Sequence, residues 1–364
     1  MSEVTGSQDR TQAVLATSHP TFKLIQVLRA VAALMVVVHH AILMLHDRNN
    51  LPLPNWINGG AGVDIFFVIS GFVMTLSSAP LRHTSHPART FFVRRIERIV
   101  PVYWIATTAK IILLLLVPAY AINPLGTSWH IISSYLFLPS TSEPVLVVGW
   151  TLIYEMFFYL LFSVVLALRA NLSAVLVPLL VVIGMMQWLL SLLFHTEVPP
   201  VFRYYTSNTL ILDFLYGILL AMFLNQVRRI PSWLAALGAL AGAAILFSWV
   251  QPNFSYWRGI QWGIPAAAVV AGALALERTW GRMMPAWALQ LGDASYSIYL
   301  THGFVLPVGG AILAHIGIHW FGCVPVSILL LTLSSVTAGV MIYRLLEVPM
   351  MRWFKEHRTT EHAT

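Results

Sequence analysis

Arg29 and His40 stand eleven residues apart in the apolar segment LRAVAALMVVVHHA. A guanidinium can hold or neutralise an anion, and an imidazole can take and return a proton near neutral pH. At about 100° per residue, eleven steps fall about 20° from three full helical turns. The two side chains therefore share one helix face, about 16 Å apart along the axis, whereas His39 lies about 80° away. Either His40 is the chemical companion of Arg29 or it only hydrogen-bonds a neighbouring helix. The cofacial arginine favours the first reading.

Five further segments carry groups of this kind. Glu155 lies in GWTLIYEMFFYLLF with Tyr159 one turn on. It could move a proton, orient His40, or simply pair with an arginine such as Arg29. Asp64 in GVDIFFVISGF could orient His40 or a substrate, or could sit at an interface or serve in an ion pair. Gly60, Gly62 and Gly71 beside it permit close backbone approach. Arg94, Arg95 and Arg98 in FFVRRIERIVPVYW are three and four residues apart, so one helix surface presents several guanidiniums. Such an array suits phosphate, although a basic cytoplasmic loop or an anionic-lipid contact would look the same. In LGDASYSIYLTH, Ser295, Tyr299 and His302 recur at i, i+4 and i+7 and form one polar stripe. Arg344 and Glu347 form an i,i+3 pair that, with Pro349, closes the last apolar stretch.

The elements that must position these groups are set by composition. The chain has 364 residues, of which 58% are hydrophobic and 10% charged, and its mean hydropathy is +0.76. A soluble domain carries about 25% charged residues. So apolar a chain needs lipid as its solvent, and an ionisable group on a spanning helix then costs about 2.5–3.5 kcal/mol to insert. About ten apolar stretches are legible, near 24–45, 62–80, 100–121, 148–168, 172–194, 207–224, 231–250, 260–277, 287–315 and 322–345. Most approach the roughly 20 residues that cross a bilayer. Pro307 and the Gly309–Gly310 pair predict a kink or break in the long 287–315 stretch. Residues 123–147, with Trp129, Pro139 and Pro144, read as an interfacial or re-entrant excursion. The reading is an all-α, polytopic membrane protein.

With the N-terminus in the cytoplasm, seventeen of the 21 basic residues fall on the cytoplasmic side. Arg48, Arg203 and Arg258 fall on the other side, and Lys110 lies within a span. This asymmetry puts both termini in the cytoplasm and implies an even number of spans. It also accounts for the net charge of +7 without a nucleic-acid partner. Residues 1–21 are expected to be a disordered tail without a cleavable signal peptide, 22–354 the transmembrane domain, and 355–364 a cytoplasmic tail. Cys323 is the single cysteine, which excludes an internal disulfide and any multi-cysteine metal site. His39, His40 and His46 could bind a metal only against the geometry that points adjacent helical residues apart, so no metal is expected. No HExxH, phosphate-binding glycine loop, dinucleotide fingerprint or GxSxG motif occurs.

Taken in order, the Arg–x10–His pair, GVDIFFVISGF, RRIERIVPVYW, WTLIYEMFFY and LGDASYSIYLTH resemble the membrane acyltransferase 3 family, in particular its exopolysaccharide O-acetyltransferase branch. The resemblance runs from about residue 22 to 354. It implies a ten-helix protein of the bacterial inner membrane that moves an acyl group, usually acetyl from cytoplasmic acetyl-CoA, to a carbohydrate hydroxyl. Polysaccharide assembly proteins are then possible partners, beside membrane lipid. The resemblance assigns donor handling and catalysis to Arg29 and His40, and functional positions to Arg94, Arg95, Arg98, Glu155, Tyr299 and His302. Tyr154 stands before Glu155 where the family more often has a pair of glutamates, so a role needing two carboxylates is not expected there. Two other readings fit intramembrane polar residues: a sugar or glycan transporter, and a sensor or scaffold in which Arg29 and His40 are dispensable.

Overall fold

The computed structural model describes residues 22–49, 57–117, 126–140, 142–194, 209–248, 257–316 and 324–361. The expected N-terminal tail, Arg10, Arg203 and Cys323 lie outside them. Among the described residues all regular structure is helical. Seven helical segments are long and apolar enough to cross a membrane: Lys23–His46, Asn58–His83, Pro87–Leu116, Val147–Ala167, Arg258–Met283, Ser295–Leu313 and Val324–Arg358. Ala174–Ile183, Leu210–Met222 and Ser232–Phe247 are apolar but shorter. The protein is a multi-pass, all-helical membrane protein.

The helices are α1 (Lys23–Asn49), α2 (Ala61–Ser78), α3 (Pro87–Leu116), α4 (Ser128–Tyr135), α5 (Trp150–Ala167), α6 (Leu172–Phe194) and α7 (Leu210–Met222). They continue with α8 (Ser232–Ser248), α9 (Gly263–Trp280), α10 (Ala286–Asp293), α11 (Ser295–His315), α12 (Val324–Ile342) and α13 (Val348–Glu361). Among its described residues the polar 123–147 stretch forms the two-turn α4, on which Trp129 is exposed. The hydroxyl of Thr127 caps α4 by accepting from the His130 amide.

α1 runs through the middle of the bundle and packs against α2, α9, α10, α11 and α12. Its first amide groups, which have no partner within the helix, are held from outside. The Lys23 and Leu24 N–H groups donate to the two carboxylate oxygens of Glu277 on α9 at 2.8 and 2.9 Å. Gly292 on α10 lies against the backbone of Gln26, where any side chain would collide with the Gln26 carbonyl. α2 and α7 cross equally closely, because Gly71 faces the Phe214 carbonyl and Gly217 faces the Val68 carbonyl. Gly62 likewise meets the Ala32 carbonyl of α1, while Gly60 makes only ordinary contact with the Trp262 ring. Small residues at such crossings let membrane helices gain dispersion contacts where lipid supplies no hydrophobic drive.

Arg94, Arg95 and Arg98 lie on one helix, the long α3, which carries Pro101 in its interior. Three expectations are corrected. The 287–315 stretch breaks at Ala294, between α10 and α11, and not at Pro307, through which α11 is continuous. Arg258 is no external loop charge. It is buried and pairs with the fully buried Asp64, Nη2 to Oδ2 at 2.8 Å and Nε to Oδ1 at 3.1 Å, under the Trp262 ring. Arg344 and Glu347 do not pair. Residues Tyr343–Glu347 form a π-helical turn, in which the extra residue per turn rotates their side chains apart. Arg344 then reaches Gln290 and buried Glu347 accepts from Ser297. The chain continues past Pro349 into α13.

Two stability predictions follow from these contacts. Gly217→Leu should abolish recovery of monodisperse protein in detergent, because its side chain would occupy the space of the α2 backbone. Gly238→Ala, where nothing lies within 4 Å, should leave thermal stability unchanged or raised. Asp64→Ala strands a buried guanidinium and should cost about 3–5 kcal/mol, lowering the melting temperature in detergent, and Asp64→Leu with Arg258→Met should recover part of the loss.

Candidate active site

A cavity of about 120 Å³ lies between α1, α2, α3, α5 and α11. Arg29, Arg95, Arg98, Glu155, Ser295 and Tyr299 line it, together with Tyr159, Tyr296 and Thr151 and an apolar wall of α2 that includes Phe66, Phe67 and Met74. Four helices, α1, α3, α5 and α11, thus bring six of the ten candidate residues to one space, and α2 closes it with apolar side chains. A second, wider opening of about 460 Å³ adjoins it, and Arg29 and Arg98 line both. These two arginines stand where the inner cavity and the wider vestibule adjoin, a boundary called the neck below.

Several side chains of the cavity are held by hydrogen bonds, whereas the buried Ser295 hydroxyl has no partner among the described residues. Arg29 Nη1 donates to Gln26 Oε1 at 3.0 Å, and Gln26 in turn donates to Asp293. Burial raises the Asp293 carboxyl above its usual range, against the opposing pull of Arg29 and Arg98. Arg95 donates to Ser77 Oγ at 2.5 Å and lies over the Phe91 and Tyr159 rings at 5.4 and 5.9 Å. The Tyr159 hydroxyl donates to Glu155 Oε1 at 2.6 Å, which fixes that carboxylate one turn below it. The Tyr299 hydroxyl sits 3.0 Å from Thr151 Oγ1 and donates to the Val148 carbonyl at 3.1 Å. Tyr296 donates to the Ile99 carbonyl at 2.8 Å, tying α11 to α3.

His40 does not line the cavity. Its Nδ1 is 2.9 Å from the Val36 carbonyl of its own helix, and its ring faces His302 at 5.0 Å between centroids. His302, 1% exposed, also stacks edge-on with Tyr299 at 5.5 Å. Among the described residues neither ring nitrogen of His302 has a hydrogen-bond partner of good geometry. Tyr299, which lines the cavity, thus adjoins His302, and His302 faces His40. The stripe on α11 and the Arg–x10–His face of α1 meet at that pair.

The remaining candidates lie elsewhere. Arg94 is exposed and lines neither space. Asp64 is held by Arg258 away from the cavity. Beside them Asp213 on α7 is fully buried, and among the described residues neither of its carboxylate oxygens has a donor. Among the described residues no group of three or more His, Cys, Asp or Glu side chains is placed to hold a metal. Sequence reasoning missed Tyr296, Thr151 and Ser77 as parts of the site and Asp213 and Arg258 as buried charges. Tyr296 neighbours the polar stripe and was within reach; Thr151 and Ser77 carry no signal beyond ordinary helix polarity.

Against known proteins, the family model described as an acyltransferase domain, that of the acyltransferase 3 family, matches residues 22–344. The exopolysaccharide production protein ExoZ of Rhizobium meliloti is 33% identical over 321 residues, which is 83% of this chain and 92% of ExoZ. Nodulation protein 10 of Rhizobium leguminosarum bv. viciae is 26% identical over 89% of this chain and 92% of its own length. A Bacillus subtilis protein, YrhL, provisionally designated a peptidoglycan O-acetyltransferase, is 28% identical over 76% of this chain but only 47% of its own length. No solved structure matches the chain. The match over nearly the whole helical domain decides against the transporter and scaffold readings: this chain belongs to the acyltransferase 3 family and is a membrane enzyme that transfers acyl groups.

Proposed function

We propose that the protein is an O-acetyltransferase of the bacterial inner membrane, moving acetyl from cytoplasmic acetyl-CoA to a hydroxyl of an exopolysaccharide or other cell-surface carbohydrate. The observation that carries this reading is the convergence of Arg29, Arg95, Arg98, Glu155, Ser295 and Tyr299 on one cavity with a basic mouth. The names of ExoZ and YrhL support a carbohydrate acceptor. In this reading the three shorter apolar helices also cross, giving ten spans, and both termini are cytoplasmic. The vestibule then opens to the cytoplasm, where acyl-CoA is made and held.

The donor's thioester arm passes the Arg29–Arg98 neck and lies beside Glu155 and Tyr299. Transfer needs a base to take the proton of the sugar hydroxyl as its oxygen bonds to the acyl carbon. The carbon–sulfur bond breaks, and the proton returns to the departing CoA sulfur. His40 is the group we assign to this proton, with His302 facing it. In a second route the His40 imidazole attacks the acyl carbon, the carbon–sulfur bond breaks and CoA leaves as the thiol with the ring proton; the sugar hydroxyl then takes the acyl group from His40 and returns its proton to the ring. Either route uses an uncharged imidazole. The depth of about 16 Å between Arg29 and His40 separates donor entry from acceptor approach, which suits transfer across the membrane. Arg95 holds Tyr159 and with it Glu155. Ser295 and Tyr299 orient substrate. Arg94, exposed on α3, is left to the surface of the donor mouth or to lipid, and Asp64 is an anchor of the bundle.

In a deletion strain, NMR of surface polysaccharide should show O-acetyl groups lost, and a wild-type copy should restore them. A His40→Ala copy should restore nothing while reaching the membrane in normal amount, since loss of a general base costs about 10²–10⁴ in rate. Full acetylation by that variant would remove His40 from the chemistry. For the purified protein, Arg29→Gln should raise KM for acetyl-CoA by about tenfold or more, as loss of a charged contact to the donor requires. An unchanged KM would mean that the donor does not pass the neck.

A further inference from the structure

The vestibule has a wall that neither the motifs nor the family match covers, since the match ends at residue 344. That wall is α13, whose residues Val348, Met351, Arg352, Lys355 and Arg358 follow the three- and four-residue spacing of one helix face. The apolar pair lies at the start of the helix, and the cations follow toward its end. Across the space stand Arg29 and Arg98. Five cationic side chains thus face one opening that holds two carboxylates, Asp293 and Glu347. Both carboxylates already accept hydrogen bonds, from Gln26 and Ser297. Arg358 pairs with Glu97 at 2.7 Å, which clamps α13 against α3 and fixes the gap between them. Arg352 and Lys355 are exposed at the rim.

Volume separates the two spaces by what they can admit. The inner cavity, about 120 Å³, is roughly a quarter of the vestibule's 460 Å³. The wider vestibule is therefore the space better suited to the bulky nucleotide half of the donor, and the inner cavity to its thin acylated arm. We propose that α13 is the nucleotide-recognition element of the donor site: Arg352 and Lys355, with Arg98 opposite, bind the phosphates of a phosphorylated adenosine diphosphate moiety. Arg358 is the positioning residue that holds the helix there. This inference rests on the acyl-CoA reading above and assigns its phosphate contacts to α13 instead of Arg94. Arginine and lysine together suit this ligand, because the guanidinium grips two oxygens of one phosphate and the ammonium serves as a point charge for another.

The test compares wild type with the Arg352→Gln/Lys355→Gln double variant, purified into lipid nanodiscs, using acetyl-CoA and S-acetyl-pantetheine as donors. S-acetyl-pantetheine carries the same thioester arm and no phosphate. The double variant should raise KM for acetyl-CoA by about tenfold or more with kcat within about twofold, and should leave KM for S-acetyl-pantetheine unchanged. An unchanged KM for acetyl-CoA, or equal losses for both donors, would overturn the assignment. The measurement is repeated in discs of phosphatidylcholine alone and in discs containing one-third phosphatidylglycerol. A shift confined to the anionic discs would make the helix a lipid-headgroup site and would also overturn it. A wild-type protein that turns over S-acetyl-pantetheine but not acetyl-CoA would defeat the acyl-CoA reading itself.

Discussion

Hydrocarbon offers no hydrogen bonds, and the arrangement of this protein follows from that constraint. Each charged side chain on a spanning helix has to be met from inside the bundle, because no water waits on the lipid side. Asp64 meets Arg258, Arg95 meets Ser77 and two aromatic faces, Glu155 meets Tyr159, and Glu347 meets Ser297. Two of these contacts, Asp64–Arg258 and Glu347–Ser297, link helices far apart in sequence, so they also help decide which helices are neighbours. The cavity is where several of these partners are gathered around a space instead of being packed shut.

α1 is the element through which the constraint reaches function. Glu277 holds its first amides, Gly292 lets α10 press against Gln26, and Gly62 lets α2 press against Ala32. A helix held so closely at its beginning has no freedom to rotate, and the eleven-residue step from Arg29 to His40 then becomes a fixed direction and depth. Arg29 lands at the neck shared by two spaces, and His40 lands against His302 of α11. Packing that looks structural therefore fixes where these two side chains stand relative to the cavity.

Periodicity within one helix was legible in the sequence; partnership between helices was not. The stripe of Ser295, Tyr299 and His302 needed only the 3.6-residue repeat, and all three are buried on one helix as that repeat requires. Hydropathy likewise located the apolar helices. Arg258 shows the limit. Its neighbours in sequence mark it as the edge of a span, and only the fold reveals Asp64 across from it. Arg344 and Glu347 fail differently, because i,i+3 logic assumes an α-helix and a π-helical turn intervenes. Arg94 and Arg95 are adjacent and alike in sequence, yet one faces outward and the other reaches the cavity. The break at Ala294 had no proline to announce it, while Pro307 left α11 continuous, as a membrane helix tolerates when its neighbours satisfy the freed carbonyl.

The central claim is that an acyl donor enters between α3 and α13, passes Arg29 and Arg98, and presents its thioester beside Glu155 and Tyr299. A structure of the protein in nanodiscs with a non-hydrolysable acetyl-CoA thioether tests this most directly. The account predicts the thioether sulfur in the inner cavity among Arg29, Glu155 and Tyr299, with the adenosine half outside the neck in the vestibule. Density for the donor on any other face of the bundle, with the neck and cavity empty, would contradict it.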